Sequence, residues 1–222
     1  METCINMKKT NHFLFILVAL FLISGCVTSP IVMNKIKMKD QDIKLDTSVL
    51  LFTDNQLLTA KHQEKQLGTT FEYDIGFYLK NATHDSLKTI FTNIALSESL
   101  VSQDKFDLVI KPILVSFTAP VPALVLMSTK TEVTINYEVI PQTPLKPYTL
   151  TATGTYELLD EEDEKIYSSL TSKDIYTYNA VSNFGMHVPD YSYEAGKDAY
   201  MAIYHALKDL NSQLLIKLNK TN

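Results

Sequence analysis

The chain has 222 residues, with 20 basic and 25 acidic side chains, a formal net charge of −5 and 45% hydrophobic residues. That acidic balance excludes general nucleic-acid binding, which needs a basic surface, while the length suits one domain with a real core. Every basic residue is Lys and none is Arg, so the planar fork used for bidentate phosphate or carboxylate clamps is missing.

The first predicted element is a leader. Lys8 and Lys9 form a basic head, Phe13 to Ile23 an uncharged apolar run, and Ser24 and Gly25 a small-residue close. This is the layout of a secretory signal peptide over residues 1–25, with Met7 a more natural start than Met1. The run is about 11 residues long, too short for the roughly 20 of a membrane-spanning helix. Ile23-Ser24-Gly25-Cys26 resembles the lipobox of bacterial lipoproteins. The resemblance implies cleavage before Cys26 and acylation of that residue by a thioether-linked diacylglycerol and an N-acyl chain. Several chains together hold a protein durably on a bilayer. By the best-studied sorting rule, Val27 in place of Asp after the cysteine implies the outer membrane, facing the periplasm, with the inner membrane as the alternative. Cleavage also removes Cys4, Glu2, Lys8 and Lys9, which shifts the net charge from −5 to about −6 and leaves no thiol for a disulfide, catalysis or a metal.

Residues 26–46 read as the lipidated cysteine and a flexible tether, and 47–222 as a single domain. A coil of about 20 residues reaches roughly 25 Å. Within it Lys35, Lys37 and Lys39 alternate with Ile36 and Met38. That pattern is an edge strand or linker with a solvated basic face, or a strip on anionic head groups.

Ser48 to Thr53 predicts a short buried strand, Leu57 to Gly68 a loop or helical turn, and Thr69 to Tyr73 extended chain. From Asp74 the apolar stripe Ile75, Tyr78, Leu79, Ala82, Leu87, Ile90, Phe91 and Ile94 predicts a helix running to Leu96–Ser99. Three strands follow. Phe106–Phe117 is apolar on both faces apart from Lys111 and Pro112, so a largely buried strand is expected, with a bulge or unpaired position at Pro112. Lys130–Ile140 alternates apolar and polar residues, and Tyr148–Leu159 does the same. Lys165–Leu170 and Asp174–Tyr178 read as short strands or irregular chain. A long helix closes the chain over about Ser192 to Leu218, its first turn suited by Glu194 to the positive end of the dipole. The expected fold is α+β: an antiparallel sheet of four or more strands with two long helices on one face, in the order β-α-β-β-β-α.

Chemistry-bearing motifs are sparse. His62, His84, His187 and His205 stand outside any HExxH, and His205 with Asp209 one helical turn on is a weak metal signal that reads as solvated surface. Asp160 to Glu164 is a run of five carboxylates without the spaced calcium-loop layout, and reads as a solvated turn. With five glycines after residue 25, no phosphate-cradling loop is present. Neither a catalytic set nor a metal site is therefore expected, and no cofactor beyond the covalent lipid. Two features carry a binding reading. Pro112–Thr129 is 18 residues without a charge, and within it Val121, Leu124, Val125, Leu126 and Met127 predict an apolar connection that contacts a partner or a membrane. The alternative is that Leu124 to Met127 simply begin the next strand. Tyr176, Tyr178, Tyr191 and Tyr193 gather near the last helix as candidate aromatic contacts, or as tyrosines that seal the edge of the core.

The strand and helix around Gly76, the FDLVIKPILVSF and TEVTINYEVI strands, and the Ala- and Leu-rich closing helix resemble small α+β periplasmic lipoproteins of the YajG and LptE kind over much of residues 70–218. That resemblance implies a non-enzymatic accessory or assembly factor of the cell envelope, bound to an envelope protein and to the membrane through its anchor. A carrier of lipid or glycan between sheet and helices is the alternative.

Overall fold

The computed structural model describes residues 27–42, 44–66, 69–99, 103–119, 130–142, 146–157, 161–171 and 190–219. Cys26, Val121, Leu124, Val125, Leu126, Met127, Tyr176 and Tyr178 lie outside them, as do the side chains of Tyr191 and Tyr193. The elements in chain order are β1 (Val27–Ile31), β2 (Leu45–Phe52), α1 (Asn55–Leu58), β3 (His62–Gln66), β4 (Thr69–Tyr73), α2 (Ile75–Leu87), β5 (Phe91–Ser97), a 3-10 turn (Gln103–Lys105), β6 (Leu108–Thr118), β7 (Thr131–Pro141), β8 (Tyr148–Tyr156), α3 (Glu161–Ser169) and α4 (Asp190–Asn219). No helix among the described residues is long and apolar enough to cross a membrane.

Two sheets organise the chain: β1-β4-β3 and β5-β2-β6-β7-β8. The α+β class holds, but both sheets are mixed rather than antiparallel. β2 lies between β5 and β6 and is parallel to each, while β6, β7 and β8 form an antiparallel meander. Parallel neighbours need a long crossover. The stretch from Phe52 to Phe91 supplies it, carrying α1, the β3–β4 hairpin and α2, which is why the simple β-α-β-β-β-α order fails.

β7 shows why the larger sheet has one covered face. Thr131, Val133, Ile135, Tyr137 and Val139 are fully buried, while the alternate residues from Glu132 to Ile140 are half-exposed. Both long helices cover that face. Thr83 of α2 lies 3.3 Å from the Tyr137 hydroxyl. The buried stripe of α4, from Ala195 through Ala199, Ile203, Ala206, Leu210 and Leu214, packs on β7 and β8. The closest approach is at Gly154 of β8, where an added Cβ would stand 1.8 Å from the Ala202 carbonyl oxygen.

Three expected elements differ. α2 stops at Leu87 and not near Leu96, because the β-branched and aromatic run Thr89-Ile90-Phe91-Thr92 enters β5 on the open edge of β2. The residues from Glu161 into the segment read as strand form α3, whose four acidic residues occupy its first turn at the positive end of the dipole. The bulge of β6 lies at Val115, not at Pro112: the register steps between Leu114 and Ser116. Pro112 pairs with Tyr137 just beyond the last β2–β6 pair, Leu51 with Ile110, so its missing N–H leaves no β2 acceptor unfilled.

Candidate functional site

The segment read as a tether is built into the fold. Val27 opens β1 opposite Thr69, and β1 runs parallel to β4 as far as Ile31 opposite Tyr73. The next residues form a strap between the two long helices. Ile31, Val32, Met33, Asn34 and Ile36 are buried, while Lys35, Lys37 and Lys39 face solvent. The alternation read from the sequence is therefore real, but its apolar half is a core contribution.

Polar contacts fix the strap at successive points. Tyr78 of α2 donates its hydroxyl to the Asn34 carbonyl at 2.6 Å, and Asn34 donates from Nδ2 to the Thr171 carbonyl at 2.7 Å. The Tyr200 hydroxyl of α4 bonds the Lys37 main chain, and burial pushes that phenol up to about 12. Ser86 donates to the Met38 sulfur at 3.2 Å, and the Gln41 amide donates to the Thr89 carbonyl at 3.0 Å. The strap also passes tightly over α4: a Cβ on Gly196 would stand 1.8 Å from the Val32 carbonyl oxygen. Any side chain there would lift the strap off the helix. The physical signal missed in the sequence was the run Ile31-Val32-Met33, which is too apolar for a solvated linker.

The stem of the apolar connection is equally defined. β6 ends against the small sheet, with the Phe117 ring edge-on to His62 at 5.1 Å and to Tyr73 at 5.3 Å. Tyr73 donates to the Ala119 carbonyl at 3.1 Å, and burial raises its phenol well above the ordinary range. His62 Nε2 lies 3.0 Å from a Glu64 carboxylate oxygen. The chain returns at Lys130, which is exposed and paired with Glu132. Below the stem, Ile113 is 36% and Val115 55% exposed on β6. β6 thus ends on a base of buried Phe117 and Tyr73 and carries exposed apolar side chains at Ile113 and Val115.

Other chemistry-bearing groups are tied into structural contacts. His205, read as solvated surface, is instead tied into the fold. Its Nδ1 lies 2.8 Å from the Thr155 carbonyl and its Nε2 2.9 Å from buried Asp163, whereas Asp209 accepts from Gln213. One residue of the acidic run therefore joins α3 to α4. His84 adjoins Asp85 at 3.4 Å, and burial is the larger cause of its lowered pKa, with Lys88 adding to it. Asp54 caps α1 by accepting from the Leu57 amide at 2.9 Å and pairs with Lys111 at 2.9 Å. The amide first and the ammonium second hold its carboxyl below the usual range. This pair borders a cleft of about 200 Å³ between α1 and β6, lined also by Leu57, Ala60, Pro112 and Leu114. Drug-sized ligand sites usually run to about 300–1,000 Å³. Between sheet and α4, Ile135, Tyr137, Ala152, Ala202, Ile203 and Leu207 are fully buried, so the described layer interface is filled with side chains.

No protein-family model matches the chain, and no curated protein does. Among solved structures, the chain is similar to protein XCC0632 of Xanthomonas campestris, family DUF330, with a TM-score of 0.45 and 6% identity over 86% of this chain and 99% of that one. It is similar to the hypothetical protein CT253 of Chlamydia trachomatis with a TM-score of 0.39 and 8% identity, over 77% of this chain and 96% of the other. For the PelC dodecamer of Paraburkholderia phytofirmans the TM-score is 0.35 and the identity 11%, over 62% of this chain and 91% of that one.

Proposed function

We propose that this chain is a lipid-anchored envelope protein that faces the periplasm from the outer membrane and acts as a non-enzymatic interaction and assembly module. The observation that carries the reading is the leader ending in Ile23-Ser24-Gly25-Cys26, with an ordered β1 beginning at the very next residue. The apolar connection between β6 and β7 is the partner contact. Its support is the charge-free stretch with Val121 and Leu124 to Met127, which follows buried Phe117 and its ring contacts with Tyr73 and half-buried His62, on a strand that also carries exposed Ile113 and Val115. His205, Asp163, Asp54 and Lys111 hold elements together in this reading and do no chemistry.

Two measurements test it. The mass of the purified chain is expected to show acyl groups on Cys26 and no leader, and Cys26→Ser to release the protein from the membrane fraction. A photo-crosslinking residue at Val121 or Leu126, in a functional variant, is expected to capture one defined envelope protein. Capture of none, with function intact, would overturn the partner assignment.

A further inference from the structure

The anchor is separated from the folded body by a single peptide bond. A flexible linker of about 20 residues would let the body drift roughly 25 Å from the bilayer. Here Val27 already pairs with Thr69, and consecutive Cα atoms are about 3.8 Å apart. The polar layer on each side of a bilayer is roughly 5–7 Å thick. An acylated Cys26 therefore leaves the start of β1 no room to clear the head groups.

We propose that the end of the small sheet bearing Val27, Thr69 and Gln66 rests in the head-group layer, so that the lipid surface itself is the partner of this end and the body stands on the membrane in one orientation. This rests on the acylation reading above. The surface suits head groups and not acyl tails: exposed Thr28 and exposed Lys65 flank it, and Lys65 pairs with Thr70 in the β3–β4 register. Ammonium groups favour anionic lipid surfaces at short range. The strap then sets which parts point away. Val32 touches α4 at Gly196, Lys37 at Tyr200 and Met38 at Asn211, so strap and helix run together away from the anchor. Sixteen residues of helix from Gly196 to Ser212 rise about 24 Å.

The geometry is testable because the mature chain has no cysteine besides Cys26. Lys65→Cys and Ser212→Cys are made separately in the full lipidated chain and labelled with a small fluorophore. Each is reconstituted into phosphatidylethanolamine–phosphatidylglycerol vesicles containing a lipid spin-labelled at its head group. Strong quenching is expected at position 65 and little at 212. Inserting ten Gly and Ser residues between Cys26 and Val27 is expected to bring quenching at 65 down to the level at 212. Equal quenching at the two sites, or no effect of the spacer, in protein whose mass shows an acylated Cys26, overturns the orientation and leaves the anchor standing. An unmodified Cys26 thiol in that mass measurement overturns both.

Discussion

Tyr78 donates its phenolic hydrogen to the main-chain carbonyl of Asn34 at 2.6 Å, closing a span of 44 residues. The contact joins the first turn of α2 to the strap that follows β1. Both partners are buried, Tyr78 to 2% and Asn34 to 0% exposure, so water does not compete for the carbonyl. A neutral bond made under those conditions is costly to leave half-made.

Tyr78→Phe keeps the ring and removes the donor. The buried Asn34 carbonyl then loses this bond, and the expected loss is about 1–3 kcal/mol of stability. Urea unfolding measures it. Hydrogen exchange is expected to rise from Met33 to Met38 more than in β7; unchanged protection in the strap would contradict its role as a clamped element.

Gly154→Ala and Gly196→Ala strike two different interfaces. At Gly154 the added carbon meets α4 backbone at 1.8 Å, and at Gly196 it meets strap backbone at 1.8 Å. Neither neighbour is a flexible side-chain tip, so the elements must separate. Overpacking of this kind costs about 1–3 kcal/mol and occasionally more. Thermal melting is expected to show both variants destabilised, with exchange rising along β8 for the first and along the strap for the second.

The Asp54–Lys111 pair predicts an acid-sensitive contribution. The folded carboxyl titrates below the ordinary aspartate value of 3.8, so the folded state binds fewer protons than the unfolded state as pH falls. The stabilisation is complete above the unfolded value and disappears as pH falls through the folded one. Asp54→Asn keeps a capping side chain and removes the charge. At pH 7 the variant is expected to be less stable by about 0.5–1 kcal/mol. Denaturation at pH 7 and pH 3 checks this; a gap that persists unchanged at pH 3 would rule the charge out.

The outer edge of β8 predicts a barrier to self-association. His205 Nδ1 and Gln213 Nε2 bond the carbonyls of Thr155 and Thr151, both at 2.8 Å. Eight helical residues rise about 12 Å and four strand residues about 13 Å, so α4 runs antiparallel to β8 with a matched repeat. Unpaired edge carbonyls invite another strand. A His205→Ala, Gln213→Ala double variant frees two of them. Sedimentation velocity is expected to show larger species than the parent; an unchanged distribution would mean these contacts do not guard the edge.

Much of the layer structure was legible because periodicity depends on local burial. The alternation from Thr131 to Val139 and the stripe from Ala199 to Leu214 require only that one side meets a core. Strand direction was not legible. Ile90, Phe91 and Ile94 fit a helical spacing as well as a strand, and pairing with β2 decided between them. The partner of His205 was hidden for a similar reason: Asp163 lies 42 residues away in sequence, on a helix whose position depends on its neighbours. The candidate contact residues Val121, Leu124 to Met127, Tyr176 and Tyr178 fall outside the described residues.

Composition and pattern alone determined the expectation of a leader and an acylated sulfur, the acidic charge and the amphipathic faces, because each is a property of neighbouring residues. Only the tertiary structure decided that β2 lies parallel to β5 and β6, and that Ile31 to Asn34 and Ile36 are built into the core. Both outcomes depend on surfaces brought together across long separations. The free edge of β2 selects the strand at Phe91, and the groove between α2 and α4 exists to receive Ile31 to Met38 once both helices are seated on the sheet.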